Sequence, residues 1–131
     1  MEVNVKKVSR KEFVQRIKAT PNATSFDKVI EFIDEEFEYT PGRFTNGVGD
    51  DIIENEAGTN EGSCKIFAFG KIVGFSERDV LACFGKYYQQ VVTNPNGSDH
   101  PNIRTFMRHG WKGIHFDQAV LTEKELEEMA D

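Results

Sequence analysis

The chain has 131 residues, the length of one domain, and a formal net charge of −6, with its lysines and arginines scattered among acids. That balance excludes nucleic acid as the main partner, because a phosphate backbone wants a basic stripe. No apolar run approaches the roughly 18 residues that cross a bilayer, and Met1-Glu2-Val3-Asn4-Val5-Lys6-Lys7-Val8 lacks the apolar stretch of a secretory signal, so no membrane role is expected.

The first helix is predicted from Arg10 to Ala19, ending before Pro21. Ser9 at the N-cap and Glu12 at N3 form a capping box, with Val8 and Phe13 as the staple. Thr24 with Asp27 is a weaker start for a second helix, Ser25 to Phe37. Its apolar residues Phe26, Val29, Ile30, Ile33 and Phe37 fall on one face, and Glu31, Asp34, Glu35 and Glu38 form a solvated side. Arg43-Phe44-Thr45 reads as extended and leads into an Asn46-Gly47 turn. Gly47-Val48-Gly49-Asp50-Asp51 reads as a mobile loop.

The polar segment Asn55–Lys65 then enters the apolar run Ile66–Val73. That run fits a short buried strand, but three turns of buried helix from Ser63 to Val73 fit better, with Asn60 or Ser63 as cap and Gly74 at C′. Phe75-Ser76-Glu77-Arg78-Asp79-Val80 repeats the capping-box grammar. It opens one continuous helix whose stripe is Val80, Leu81, Phe84, Tyr87, Tyr88, Val91 and Val92. Thr93-Asn94-Pro95-Asn96-Gly97 is a turn, and a short helix runs from Pro101 to Arg108, with Asp99 or His100 as cap and Gly110 as stop. Lys112–Phe116 is extended, Ala119–Leu121 can return beside it, and Thr122 with Glu125 is a third capping box. The fold class expected is mainly α (α+β): a single-domain helical bundle spanning 1–131, with a small two- or three-stranded β ribbon.

Eleven phenylalanines supply a core without staples, so Cys64 and Cys83 are expected as free thiols in a reducing cytoplasm. The three histidines have no ligand spacing with the cysteines, and the P-loop, dinucleotide and calcium-loop patterns all fail, so no metal or cofactor is expected. The Asn55–Lys65 segment is the candidate site, since polar loops held by rigid elements carry function. Cys64, at a helix start beside Lys65, is a candidate nucleophile with His100 as base; its bland reading is a core residue. Lys65 either pairs with Glu56 or holds a small anion. Asn55, Asn60 and Ser63, with Asn46 and Asn102 nearby, are either caps and turn residues or ligand contacts. Arg104 reads as exposed, a second anion contact, and Trp111 as a core-edge aromatic or a stacking surface.

Five blocks in order carry a family resemblance: Phe44-Thr45-Asn46-Gly47; Asn55 through Phe69; Ala82-Cys83-Phe84-Gly85-Lys86-Tyr87-Tyr88; Asp99-His100-Pro101-Asn102-Ile103-Arg104; and Gly110-Trp111. By these the chain resembles the HopJ type III effector family over about 13–121. The resemblance brings no activity and no catalytic residue. The expected function is that of a non-enzymatic, effector-type interaction protein that binds a host or bacterial protein, as a monomer or weak oligomer in the cytoplasm; the family name adds export to a host cell by type III secretion as the other setting. The alternative is a small-molecule (anion) binder or enzyme using the Asn55–Lys65 loop with His100 and Arg104.

Overall fold

A computed structural model describes residues 8–124. Helix α1 (Arg10–Ala19) starts at the full Ser9–Glu12 capping box. After a 3₁₀ turn at Pro21–Ala23, α2 (Phe26–Glu36) is capped by Ser25, whose hydroxyl accepts from Lys28 N; Thr24 is not the cap. Phe37 is not helical: it opens β1 (Phe37–Tyr39). Strands β2 (Phe44–Asn46) and β3 (Ile53–Asn55) follow, then α3 (Glu61–Val73), α4 (Glu77–Cys83), α5 (Lys86–Thr93) and α6 (Pro101–His109). A 3₁₀ turn at Gly110–Gly113 leads to β4 (His115–Phe116) and β5 (Leu121–Glu123). The class is α+β, with antiparallel sheets ordered β1-β5 and β3-β2-β4. No helix among the described residues is long and apolar enough to cross a membrane.

The apolar run after Cys64 is a helix, and it is the centre of the fold. Ile66, Phe67, Ala68, Phe69 and Gly70 are all buried, so α3 is covered on most sides. Phe67 meets Phe44, Phe84, Phe106 and Trp111, with centroids between 5.0 and 6.4 Å. Phe69 meets Phe13, Phe32, Phe37 and Phe75 at 5.7 to 6.4 Å. Each such pair adds about 0.5–1.5 kcal/mol beyond the burial itself. The two rings therefore tie α1, α2, α4, α6 and both sheets to one helix.

Three expectations are corrected here. The stripe from Val80 to Val92 is two helices, because Gly85 breaks it with φ +53° and ψ −124°, and a Cβ there would lie 2.8 Å from the backbone nitrogen of Phe26. Val92 accordingly ends exposed. The capping-box letters at Thr122 do not start a helix at that residue: Leu121–Glu123 pairs with Tyr39–Phe37 instead. Glu125, the acidic partner in that box, lies outside the described residues. The segment read as a mobile loop is a 3₁₀ turn, Gly49–Asp51. Asp51 accepts from Arg108 Nε at 2.8 Å and from His109 Nε2 at 2.7 Å, and these bonds hold its carboxyl below the usual carboxylate range.

The corner at Gly85 yields a test. Gly74 also has positive φ, but in the ordinary left-handed region and with nothing near its Cβ position. Gly74→Ala should cost about 1 kcal/mol. Gly85→Ala should cost about 3 kcal/mol, from a conformation closed to side chains and a collision with backbone. Urea unfolding measures both, and equal midpoints would contradict the role given to the corner.

Candidate functional site

Three asparagines are buried together. Asn46 at the end of β2 is 0% exposed, Asn55 at the end of β3 is 1% exposed and Asn102 in the first turn of α6 is 4% exposed. Asn46 Nδ2 donates to the backbone oxygen of Asn102 at 2.9 Å and to its Oδ1 at 3.0 Å. Asn55 Nδ2 donates to Asn102 Oδ1 at 3.2 Å, and Asn102 Nδ2 donates back to Asn55 Oδ1 at 2.9 Å. The exposed Asn60 joins the network by donating to Asn55 Oδ1 at 2.7 Å. Two paired strands and two helix starts are thereby fixed to one another.

That arrangement sets up a cleft of about 380 Å³ lined by Asn60, Gly62, Ser63, Tyr87, His100 and Asn102, with Phe26, Phe84, Pro101 and Ile103. The N-cap residues of α3 and α6, Asn60 and His100, are the two non-glycine residues with positive φ among those described, at +50° and +52°. Neither caps its helix through its side chain. Asn60 spends its amide on Asn55, and His100 Nε2 lies 2.7 Å from Gln90 Oε1. The first-turn N–H groups of α3 and the Asn102 N–H of α6 are thus left without side-chain caps, at the positive ends of two helix dipoles; Pro101 has no N–H, and Ile103 N donates to the His100 carbonyl at 3.1 Å. Among the described residues no carboxylate belongs to the lining, although Asp99 Oδ2 lies 3.7 Å from His100 Nε2 at its edge. Rings form one wall: Phe26 lies edge-on to Tyr87 at 5.0 Å, and Tyr87 meets His100 at 5.4 Å.

Asn60, Ser63 and His100 therefore come together, with Asn55 one layer behind through its bond to Asn60. The other candidates go elsewhere. Lys65 Nζ bonds Asp34 at 2.8 Å and sits 4.8 Å over the Tyr39 ring. Glu56 meets Arg43, not Lys65. Cys64 is 1% exposed, with Sγ 4.0 Å from the carbonyl oxygen of Gly42. Burial pushes its thiol up to about 11, so the helix-start effect does not win there. The phenol of its neighbour Tyr39 is raised as well, again chiefly by desolvation. Cys83 is buried, and its thiol is pushed up to about 12; both cysteines are free.

Arg104 was expected on the surface but is only 9% exposed. Its Nε donates to the Asp99 carbonyl at 2.6 Å, its Nη2 to Asp99 Oδ1 at 2.5 Å and its Nη1 to the Pro95 carbonyl at 3.2 Å. The hydrogen bond from Arg104 holds the Asp99 carboxyl low. The guanidinium is thus spent on shaping the turn into α6. Trp111 Nε1 donates to the Phe75 carbonyl at 2.9 Å, and its ring packs on Phe106 and Phe67, the core-edge role. Phe26 and Tyr87 were missed as cleft residues, because each reads in sequence only as part of a helical stripe.

The network has a measurable cost of removal. Asn102→Ala would strip partners from buried groups of Asn46 and Asn55, at about 1–3 kcal/mol for each group left unsatisfied. A loss of at least about 2 kcal/mol in urea unfolding is expected. Asn96→Ala, on an exposed turn, should stay within about 0.5 kcal/mol of the parent. Similar small losses for both would mean that the buried amides hold nothing.

Comparison with known proteins gives a family but no chemistry. A solved structure described as "Crystal structure of unknown function protein VPA0580" matches with a TM-score of 0.84 and 37% identity, over 95% of this chain and 100% of the other. No curated protein matches the chain. The family model described as HopJ type III effector protein matches residues 10–121, which take in α1 through the first residue of β5. The chain belongs to the HopJ type III effector family.

Proposed function

We propose that this HopJ-family protein binds a small ligand bearing a carboxylate or similar anionic group, in the cleft where α3 and α6 begin. The observation that carries the reading is convergence. Two helix starts without side-chain caps, each entered through a left-handed non-glycine residue, face one cleft whose described lining holds no carboxylate, the nearest being Asp99 at 3.7 Å from His100 Nε2. Helix starts favour negative charge by about 0.3–1 kcal/mol each, and their N–H groups supply directional donors. The Phe26–Tyr87–His100 wall suits a flat apolar portion of the same ligand.

The protein-docking alternative draws less support from the surface. The exposed large apolar side chains are Val48, Ile52, Ile72, Val92 and Met107, divided among the Gly49–Asp51 turn region, α3, α5 and α6. Among the described residues Val92 and Met107 share one groove, and the other three are not part of its lining. The family's description as type III effectors supports delivery to a host cell as one setting for ligand capture, with the cytoplasm as the other. Cys64, the candidate nucleophile, is buried outside this cleft, and binding is the activity proposed.

Titration with small aliphatic and aromatic carboxylates, followed by amide shifts, tests this reading. Saturable shifts are expected at Gly62, Ser63, Asn102 and Ile103 at millimolar ligand. Lys65→Ala should leave them intact, because Lys65 is held by Asp34 outside the cleft. Ser63→Asp places a carboxylate in the first turn of α3, where it competes for the same N–H groups, and should abolish them. No saturable shift at these amides, or undiminished shifts in Ser63→Asp, would overturn the site.

A further inference from the structure

We propose a second, independent site on this chain: a phosphate-binding cleft at the corner between α4 and α5, held by Arg78 and Lys86. The cleft is about 420 Å³, and its polar walls come from Asn22, Thr24, Arg78, Lys86, Tyr88 and Gln89. Among the described residues no carboxylate lines it. The chain carries 22 acids against 16 lysines and arginines, so a cleft with two cations and no carboxylate in its described lining runs against the overall balance. Arg10, Lys18, Arg43, Lys65, Arg104 and Arg108 each have a carboxylate within 4.0 Å. Among the described residues, neither Arg78 nor Lys86 takes part in an ion pair. The groove between α1 and α2 also holds two cations, Arg16 and Lys28, but there Glu31 and Glu35 share the walls.

The corner at Gly85 makes the pairing possible. On a continuous helix, residues eight apart would lie about 12 Å along the axis and about 80° apart around it. The break sends α5 in a new direction, and both cations come to line one cleft. Lys86 Nζ also lies 5.3 Å over the ring of Tyr87, which walls the cleft at α3 and α6, so the two clefts are neighbours across α5. Arg78 supplies a planar fork suited to two phosphate oxygens. Asn22 and Gln89 add neutral amide donors. Two cations and a small volume fit one phosphate group of a small phosphorylated molecule. An extended polyanion would meet the net charge of −6 beyond the cleft.

The probes are inorganic phosphate and pyrophosphate, titrated into the full chain at constant ionic strength and followed by amide shifts. Saturable shifts at Arg78, Gly85 and Lys86 are expected, together with an affinity loss of at least tenfold in the Arg78→Gln, Lys86→Gln double variant. Both residues are exposed, so the rest of the variant's spectrum should match the parent and show that the fold is kept. Ser63→Asp, which blocks the cleft at α3 and α6, should leave this binding unchanged, so failure at one site is distinguishable from failure at the other. Shifts that do not saturate, that appear equally with chloride, or that persist in the double variant would overturn the proposal.

Discussion

A buried side-chain amide, Asn102, is the constraint on which the functional end of the molecule depends. It receives Asn46 through its backbone and side-chain oxygens and exchanges two bonds with Asn55. In a water-poor interior each such bond is strengthened, and each unpaired group is correspondingly expensive. Asn46 Oδ1 has no partner and is buried, at a cost of about 1–3 kcal/mol that the other bonds must outweigh. Apolar residues of similar volume would fill the space but would fix no register. Amides fix β2, β3 and the starts of α3 and α6 relative to one another, because donors and acceptors must match in direction.

The aromatic core does the complementary work. Phe67 and Phe69 lie on α3, so the helix whose first turn faces the proposed ligand cleft is also the helix that the whole core grips. A site on such an element is held rigidly, as binding to backbone N–H groups demands. The left-handed entries at Asn60 and His100 are tolerated because neighbours determine them: Asn55 holds the first side chain, and Gln90 with Tyr87 holds the second. Charge is handled separately. Asp99 with Arg104 and Asp51 with Arg108 and His109 brace the two ends of α6 and lie outside the lining of that cleft.

Local signals were legible in the sequence. The boxes at Ser9 and Ser76 form as expected, because all their atoms lie within four residues. The buried character of α3 followed from its apolar run Ile66–Gly70, and it ends at Lys71 and Ile72, which are exposed. The same capping letters at Thr122 misled, because strand pairing with Phe37–Tyr39, more than eighty residues away, claims that backbone. The apolar stripe from Val80 to Val92 runs through Gly85 without a visible break, since the collision with Phe26 is a tertiary fact. Among the site candidates, Asn60, Ser63 and His100 meet, but nothing in their spacing says so. Arg104 seemed exposed because its partners, the Asp99 carboxylate and two carbonyls, form a pocket only once the turn before α6 closes. Cys64 seemed activated because a helix start is readable and desolvation is not.

Hydrogen exchange of the side-chain amides themselves tests the central claim most directly. If the buried asparagines act as one clamp, the Nδ2 protons of Asn46, Asn55 and Asn102 should be protected together, with a common opening rate, while those of exposed Asn22 and Asn96 exchange freely. Free exchange at Asn46, Asn55 and Asn102, or unrelated rates among them, would contradict the account.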